Sequence, residues 1–373
     1  MLKLHFLNVE NGDCTIVEYL SQSGERDFGV VDCNRTPTRH SPALEKLRAL
    51  GAEKLSFVCI THPDKDHFSG IYDVLTAYRG SIDAFYTYPL GPVLADKELL
   101  KRYLRQIAAI AKRGDNQDIT RRYSELMQII KFGYEEFAEN GTWFELTGDF
   151  DTLGIDGFND VEFFGIMPPK KVKGQMVQEI LGTDPADIRS LNNNSISSAL
   201  LLRYGGRTIT LGGDATNENW QAHRRYRERA RVSISSNAVK LPHHGSRYDN
   251  KRATLEDFFQ GMNPAIAVIS ADGRRHPDYE IFQELDRLGC RRLCTNVCNP
   301  DERALKRIYQ NEELSKRLNH LLNVYTQPHQ SRAVACKGDI TIIVRASGEV
   351  SYETELNSVC PCTHFDDLLE AVA

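Results

Sequence analysis

The segment from Thr61 to His67 constrains this chain more than any other, because it places two imidazoles and two carboxylates within six consecutive positions. Residues 55–60 before it are apolar and partly β-branched, which predicts a buried strand, and residues 71–75 after it predict a helix. The segment is therefore expected to form a strand-to-helix loop. Such a loop holds its side chains on rigid supports and leaves their ends open to a cleft, as a catalytic metal requires.

The side chains of this loop that are expected to bind metal are His62, Asp64, Asp66 and His67. Neutral imidazole and ionised carboxylate are ligands for zinc, manganese and iron, and a larger share of carboxylates favours ions that prefer oxygen. The alternative is a solvated polar loop. That alternative would explain one histidine and one aspartate, but it explains poorly so many ligand types in so short a segment.

The His-x-Asp-x-Asp-His spacing after a buried strand resembles the metal-binding loop of the metallo-β-lactamase superfamily. Most members carry His where this chain has Asp64, and the Asp form resembles the soluble domain of ComEC-type DNA-uptake competence proteins. Further segments match this branch in the order that it requires. Two precede the loop, at residues 5–13 and 30–33, and four come after it, at residues 192–195, 211–214, 241–246 and 276–277. The resemblance implies an α/β fold, the four-layer αβ/βα sandwich, and a metal-dependent hydrolase.

The resemblance also implies roles for residues outside the loop. Asp214 would bridge two metals or complete one metal site, with helix capping as the alternative. Asp13 and Asp32 would lie beside the metal cleft and orient its ligands, although ordinary turn chemistry would also explain Asp13. Asn194 and Ser246 fall in two further matching segments and are expected to contact substrate or to support the ligands.

The histidine pattern predicts unequal metal sites. No histidine lies between His67 and His223, so the third metal-binding histidine that most of the superfamily places before the bridging aspartate is absent. His243 and His244 are expected to supply ligands instead. One should reach the metal while the other contacts substrate or a neighbouring carboxylate, since adjacent side chains on an extended segment point apart. His276 is expected to bind metal or phosphate, unless it only begins a helix before the following proline.

The chain is expected to form a single domain over residues 1–373, with a helical insert at 90–160 and a C-terminal extension at 300–373. The insert is predicted from apolar residues at helical spacing with basic residues between them, and we expect it to cap the cleft. Its basic residues either bind a polyanionic substrate or form a solvated face. A second basic run, at 223–231, is expected on a helix after Asp214.

Composition sets further bounds. The chain of 373 residues is 41% apolar and 26% charged, as in ordinary soluble globular proteins, and its net charge of −5 argues against indiscriminate binding to nucleic acid. Nine scattered cysteines and the lack of a signal-peptide core favour the reducing cytoplasm. No apolar run approaches the roughly 20 residues that a membrane-spanning helix needs, so no membrane association is expected.

The leading hypothesis is a phosphodiesterase or nuclease that acts on nucleic acid through a metal-bound hydroxide. The side chains expected to take part in the chemistry are Asp64, Asp66 and His244, and the divalent metal is expected to be manganese or zinc, with magnesium as a further option. The choice of nucleic acid depends on the resemblance and on the two basic segments. The alternatives are a hydrolase of the same fold for a small phosphodiester or ester, and a metal-poor binding module without turnover. Protein partners stay unassigned.

Overall fold

The computed structural model describes residues 1–36, 41–90, 96–113, 117–148, 150–184, 193–230, 236–246, 264–273, 276–277, 279–296, 310–317 and 336–356. The strands are β1 (Leu2–Phe6), β2 (Cys14–Leu20), β3 (Arg26–Cys33), β4 (Leu55–Ile60), β5 (Ile82–Thr87), β6 (Trp143–Glu145), β7 (Asp151–Leu153), β8 (Glu162–Met167), β9 (Ala199–Tyr204), β10 (Arg207–Leu211), β11 (Ala238–Lys240), β12 (Ile266–Ile269), β13 (Arg291–Cys294), β14 (Ile340–Val344) and β15 (Val350–Thr354). The helices are α1 (Pro42–Ala49), α2 (Lys65–Phe68), α3 (Ile71–Ala77), α4 (Lys97–Arg113), α5 (Gln117–Gly133), α6 (Lys170–Gly182), α7 (Asn217–Ala230) and α8 (Tyr279–Arg287). A π-helical turn, Tyr134–Ala138, follows α5, and 3-10 turns lie at Asn194–Ile196 and Pro242–Gly245.

These strands form two mixed sheets. The first has the spatial order β15-β14-β1-β2-β3-β4-β5-β6, and the second has the order β13-β12-β11-β10-β9-β8-β7. Neighbours are parallel from β3 to β6 in the first sheet and from β10 to β13 in the second, and the remaining neighbours are antiparallel. Each sheet therefore has a parallel half, whose strands are normally covered on both faces.

Strand β4 shows how the layers arise. All of its residues are buried, and their side chains alternate between two cores because successive residues of a strand point to opposite faces. Phe57 and Cys59 pack in the core between the two sheets, together with Leu200 of β9. Val58 and Ile60 pack on the other side, in the core that the first sheet forms with α1, α3, α4 and α5. A third core joins the second sheet to α7 and α8. The layers are thus helix, sheet, sheet and helix, which confirms the four-layer αβ/βα sandwich.

The predicted insert contains two long helices, α4 and α5. Their apolar faces are buried against the outer side of the first sheet through Leu99, Leu100, Tyr103, Ile107, Ile110, Tyr123, Leu126, Ile129 and Ile130. The rest of the 90–160 range includes β6 and β7, each the edge strand of one sheet. The helical part of the insert is therefore flanked by strands that belong to the sandwich itself.

The C-terminal range contributes to the same sandwich. Strand β14 pairs antiparallel with β1, and β15 pairs with β14. These two strands, which fall in the predicted extension, complete one end of the first sheet. Three of the nine cysteines, Cys298, Cys360 and Cys362, lie outside the described residues. Within the described ranges, no helix combines the length and the apolarity that a membrane span requires.

Candidate metal centre

The candidate residues gather at the carboxyl ends of parallel strands. The loops that follow β4, β10 and β11 carry most of them, and Asp32 lies near the end of β3. Loops at such strand ends are where α/β folds place their functional groups. The structure brings together Asp13, Asp32, His62, Asp64, Asp66, His67, Asp214, His243 and His244. That these residues bind metal stays a prediction.

Asp214 lies at the middle of the group. Its Oδ1 is 3.2 Å from Nε2 of His67, and its Oδ2 is 3.6 Å from Nε2 of His244. The same Oδ2 is 3.7 Å from Nε2 of His62 and 4.0 Å from Nε2 of His243. Four histidine Nε2 atoms therefore surround one buried carboxylate.

Two of the buried polar atoms around the Asp214 carboxylate have no hydrogen-bond partner among the described residues. Nε2 of His62 and Oδ1 of Asp214 are buried and unsatisfied among the described residues. Buried polar atoms in native proteins nearly always have a partner, and an absent ion is one of the recognised reasons for an exception. The donor set, imidazole nitrogen with carboxylate oxygen, is one that zinc and manganese accept.

Hydrogen bonds to the outer nitrogens orient the rings. Nδ1 of His67 donates to Asp32 Oδ2 at 2.8 Å, and Nδ1 of His244 donates to the carbonyl of Ser270 at 2.9 Å. Thr61 Oγ1 donates to Asp32 at 2.7 Å, so it accepts from Nδ1 of His62 at 3.1 Å. In the neutral rings the proton therefore lies on Nδ1 and the Nε2 lone pair faces Asp214, which is the arrangement of a metal-binding histidine.

Asp13 contacts the rings from behind. Its carboxylate lies 3.4 Å from Nδ1 of His244 and 3.8 Å from Nδ1 of His67, and it forms a buried ion pair with Lys240. Its oxygens are close enough to Asp214 and the two histidines to share a metal with them. However, the lone pairs that would face an ion are on Nε2, which favours a supporting position for Asp13 behind the rings, and that role stays a prediction.

Asp66 completes one half of the centre. Its Oδ2 lies 3.6 Å from Nε2 of His244 and accepts a hydrogen bond from Asn11 Nδ2 at 2.9 Å. We call the set Asp66, His67, Asp214 and His244 the inner half-site. It offers two nitrogens and two carboxylates, and both of its rings are buried.

The opposite side of Asp214 forms a second set of donors. Asp64 Oδ2 lies 3.5 Å from Nε2 of His62, and Asp64 Oδ1 accepts hydrogen bonds from Asn193 Nδ2, at 2.7 Å, and from Arg122. We call His62, Asp64, Asp214 and His243 the outer half-site. The side chains of Asp64 and His243 are 22% and 23% exposed, so two side chains of this half reach the solvent, whereas in the inner half only Asp66 does, at 29%.

The backbone at the adjacent histidines corrects one expectation. His243 and His244 are not on an extended segment: their φ angles are 48° and 52°, in the left-handed region, within the turn Pro242–Gly245. Side chains in this conformation do not alternate between two faces, and both rings point to Asp214. Non-glycine residues with positive φ are uncommon and concentrate at functional sites.

Charge around the rings changes their proton affinity. Burial alone would lower the pKa of His244, but Asp214 and Asp13 raise it to about 10. Burial likewise opposes the charges of Asp214 and Asp32 at His67, whose pKa is raised. Burial would raise the pKa of Asp13, but Lys240 and His244 hold it at about 2. The centre therefore attracts positive charge, as a cation site must.

Other predicted residues lie at the edge of the centre. The ring of His276 stacks on His244 with centroids 6.3 Å apart and lies 5.6 Å from the ring of His243. Ser246 is buried, and its N–H donates to the carbonyl of His243 within the turn. Asn194 begins the 3-10 turn Asn194–Ile196. Its neighbour Asn193 donates a hydrogen bond to Asp64 in the loop from Thr61 to His67, which we call the metal loop.

The sequence pattern does not single out several of the contacting residues, among them Asn193, Ser197, Arg122 and Lys240. Asn193 lies within the matching 192–195 segment, in which the residue predicted to contact substrate or support the ligands is its neighbour Asn194. Ser197 Oγ accepts from the N–H of Asp214 at 2.8 Å, and only its position near that segment indicated it. Arg122 and Lys240 had no local signal, because their partners Asp64 and Asp13 are 58 and 227 positions away in the sequence.

No protein-family model matches the chain. Over 110 residues the chain is 31% identical to the ribosomal RNA small subunit methyltransferase G of Mycolicibacterium vanbaalenii, a match of 28% of this chain and 46% of that protein. The chain thus spans less than half the length of this relative.

Among solved structures, the chain is similar to an E377D mutant of CmlA β-hydroxylase, with TM-score 0.41, 15% identity, and coverage of 78% of this chain and 52% of that one. It is also similar to Zn(2+)-bound PqqB from Methylobacterium extorquens, with TM-score 0.38, 11% identity, and coverage of 78% and 97%. A metal-dependent hydrolase of the β-lactamase superfamily gives TM-score 0.40, 10% identity, and coverage of 79% and 96%. At these scores the layers described above, and not the neighbours, establish the fold.

Proposed function

We propose that this chain is a metal-dependent hydrolase that cleaves phosphodiester bonds, with nucleic acid as its substrate class. The observation that supports this most is the gathering of four histidine Nε2 atoms around the buried carboxylate of Asp214. A divalent ion held there would activate a water molecule and neutralise charge on the phosphoryl oxygens of a substrate. The inner half-site, with equal numbers of nitrogen and oxygen donors, suits manganese or zinc, and magnesium is a further option.

The chain's own residues fix this geometry before any ligand arrives. Asp32 and the carbonyl of Ser270 hold the rings of His67 and His244, so that no reorientation of these rings is required on binding. Asp66 and His243, at 29% and 23% side-chain exposure, are the parts of the centre most accessible to a substrate. Substrate is therefore expected to approach between these two side chains.

Two hydroxyl groups near the centre, those of Thr61 and Ser197, are already engaged. Thr61 Oγ1 donates to Asp32, and Ser197 Oγ accepts from the N–H of Asp214. Both are also near Nδ1 of His62, whereas the Asp214 carboxylate lies on the Nε2 side of that ring. Within the described residues, neither of these two hydroxyls faces the substrate side as a nucleophile, which favours attack by water.

The choice of nucleic acid is supported by the resemblance to competence proteins and by exposed basic residues. On α7, Arg225 and Arg229 are exposed, whereas Arg227 is buried and Arg224 pairs with Glu228 at 2.8 Å. Only part of this basic run is therefore available to a polyanion. On the insert, exposed basic residues include Arg105, Lys112 and Arg121, whereas Lys101 pairs with Glu98 at 2.5 Å.

The test is an assay of the chelated protein after addition of manganese, zinc or magnesium. Substrates are labelled single- and double-stranded nucleic acids, bis(p-nitrophenyl) phosphate and a p-nitrophenyl ester. We expect metal-dependent cleavage of nucleic acid that is lost in Asp66→Asn and kept in the control Asp156→Asn, a change of the same chemistry at an exposed residue away from the centre.

Three results would contradict the proposal in different ways. Cleavage of the small diester alone would indicate a small-molecule phosphodiesterase, and cleavage of the ester alone would indicate an esterase. Failure to take up any of the three metals would indicate a binding module without turnover.

A further inference from the structure

The helical insert contributes a charged group to the metal loop. Arg122 of α5 donates from its guanidinium to Asp64 Oδ1, the oxygen that also accepts from Asn193. The other oxygen, Oδ2, is the one that faces Nε2 of His62 at 3.5 Å. The guanidinium therefore lies behind a carboxylate of the outer half-site.

Helix α5 is held firmly in this position. Glu125, which follows Arg122 by about one turn and so lies on the same side of the helix, pairs with Arg35 at 3.2 Å. Arg35 in turn pairs with Asp73 of α3 at 2.7 Å. Tyr123, Leu126, Ile129 and Ile130 of α5 are buried in the core that the first sheet forms with its helices. Arg122 is 27% exposed, so it is a partly buried residue and not part of a solvated helix face.

The two half-sites differ in the partner of their loop carboxylate. Asp66 of the inner half-site accepts a hydrogen bond from the neutral amide of Asn11. Asp64 of the outer half-site has a permanently charged guanidinium as its partner, since arginine does not lose its proton in proteins. A carboxylate paired with a cation attracts a further cation less, and the guanidinium itself repels a divalent ion nearby.

We propose that Arg122 sets the metal content of this centre. It keeps Asp64 oriented toward His62 and lowers the affinity of the outer half-site for a second divalent ion, so that the insert supplies the positive charge that a second metal would supply. This rests on the proposed function in requiring that the inner half-site binds an ion. Arg122 is a positioning residue, because it acts through Asp64.

The test is a count of bound manganese. Metal-free wild type, Arg122→Gln, Arg122→Lys and Arg121→Gln are titrated with Mn²⁺ and followed by calorimetry and by electron paramagnetic resonance, which detects coupling between neighbouring Mn²⁺ ions. Glutamine keeps a donor for Asp64 without the charge, and lysine keeps the charge. Arg121 is exposed on the same helix and provides the matched control.

We expect one tight ion in the wild type, in Arg122→Lys and in Arg121→Gln. In Arg122→Gln the affinity for a second ion should rise at least about tenfold, with coupled Mn²⁺ pairs appearing in the spectrum and the first ion bound as before. Weaker or unchanged second binding in Arg122→Gln would overturn the proposal, because Arg122 would then only orient Asp64 or anchor the helix.

A measurement on the wild type alone covers the case in which Arg122→Gln does not fold. Anomalous diffraction from crystals given one equivalent of Mn²⁺ should locate the ion among Asp66, His67, Asp214 and His244. An ion between His62 and Asp64 would overturn the proposal while leaving the proposed function intact. A wild type that takes up no Mn²⁺ would overturn the proposed function and, with it, this inference.

Discussion

The inner and outer half-sites share Asp214 but hold their remaining ligands differently. In the inner half-site, His67 and His244 are buried and each has its outer nitrogen fixed by an acceptor. In the outer half-site, Asp64 and His243 are partly exposed, and Asp64 forms an ion pair with Arg122. Burial with fixed orientation retains a cation, whereas exposure with a competing cation permits exchange. We therefore expect the inner half-site to retain the ion through its fixed rings, while Asp66, 29% exposed, and His243 leave both halves open to a substrate.

The largest expected effect tests which half holds the ion. Asp66→Ala or His67→Ala should lower phosphodiester cleavage at least about a thousandfold, because each removes an inner ligand. His62→Ala, in the outer half-site, should lower the rate of phosphodiester cleavage only about tenfold. All variants should keep the wild-type circular dichroism spectrum. Full activity in Asp66→Ala or His67→Ala would refute the assignment of the metal loop, and equal losses at His62 and Asp66 would remove the distinction between the halves.

The second prediction concerns the support behind the inner half-site. Lys240→Met should lower the free energy of unfolding of the metal-free protein by about 3 kcal/mol, because it removes the cation of the buried ion pair and leaves Asp13 only the two histidine rings. Adding Asp13→Asn should recover much of that loss, since a buried pair removed together leaves no unpaired charge. Chemical denaturation of the single and double variants measures this. Additive losses would show that the two side chains act independently.

The identity and number of bound metal ions provide a third test of the difference between the inner and outer half-sites. The chelated protein should be reactivated by manganese, with at most one metal per chain bound tightly, because the inner half-site is richer in oxygen donors than the usual histidine-rich site. Elemental analysis after exhaustive dialysis, followed by activity measurements, gives both quantities. Two tightly bound zinc ions with full activity and no response to manganese would show that the outer half-site is complete.

The fourth prediction is a dependence of metal affinity on pH. In the metal-free protein the pKa of His244 is raised to about 10, and the pKa of His67 is also raised. Both rings are therefore expected to be positively charged at neutral pH, with a proton on each nitrogen. A metal ion must displace them, and affinity should therefore increase with pH, by about tenfold per pH unit for each proton released. Calorimetry in buffers of different ionisation enthalpy counts the protons. Binding without proton release would show that the rings are neutral before the ion arrives.

The sequence predicted those parts of the molecule that local pattern controls. Strand β4 spans the predicted residues 55–60, and the periodicity of the insert corresponds to two helices. The ligand types were visible because the metal loop is continuous in sequence. The left-handed turn at His243 and His244 was not visible, because positive φ is uncommon for non-glycine residues and nothing in the local pattern marks it here. The ion pairs of Asp64 and Asp13 join distant segments, and a residue's charge alone does not identify its partner.

The smallest effect concerns the surface outside both half-sites. Arg225→Glu with Arg229→Glu should weaken binding to long single-stranded nucleic acid about tenfold and lower its salt dependence by about two ion equivalents, because each exposed arginine accounts for about one phosphate contact. Cleavage of bis(p-nitrophenyl) phosphate should not change, since neither residue contacts the centre. Lys316→Glu with Arg317→Glu, on another exposed helical segment, is the matched control for overall charge. Arg227 is left intact because it is buried, and reversing its charge would destabilise the fold. If both substrates are affected equally, α7 supports the metal centre and does not contact the polyanion.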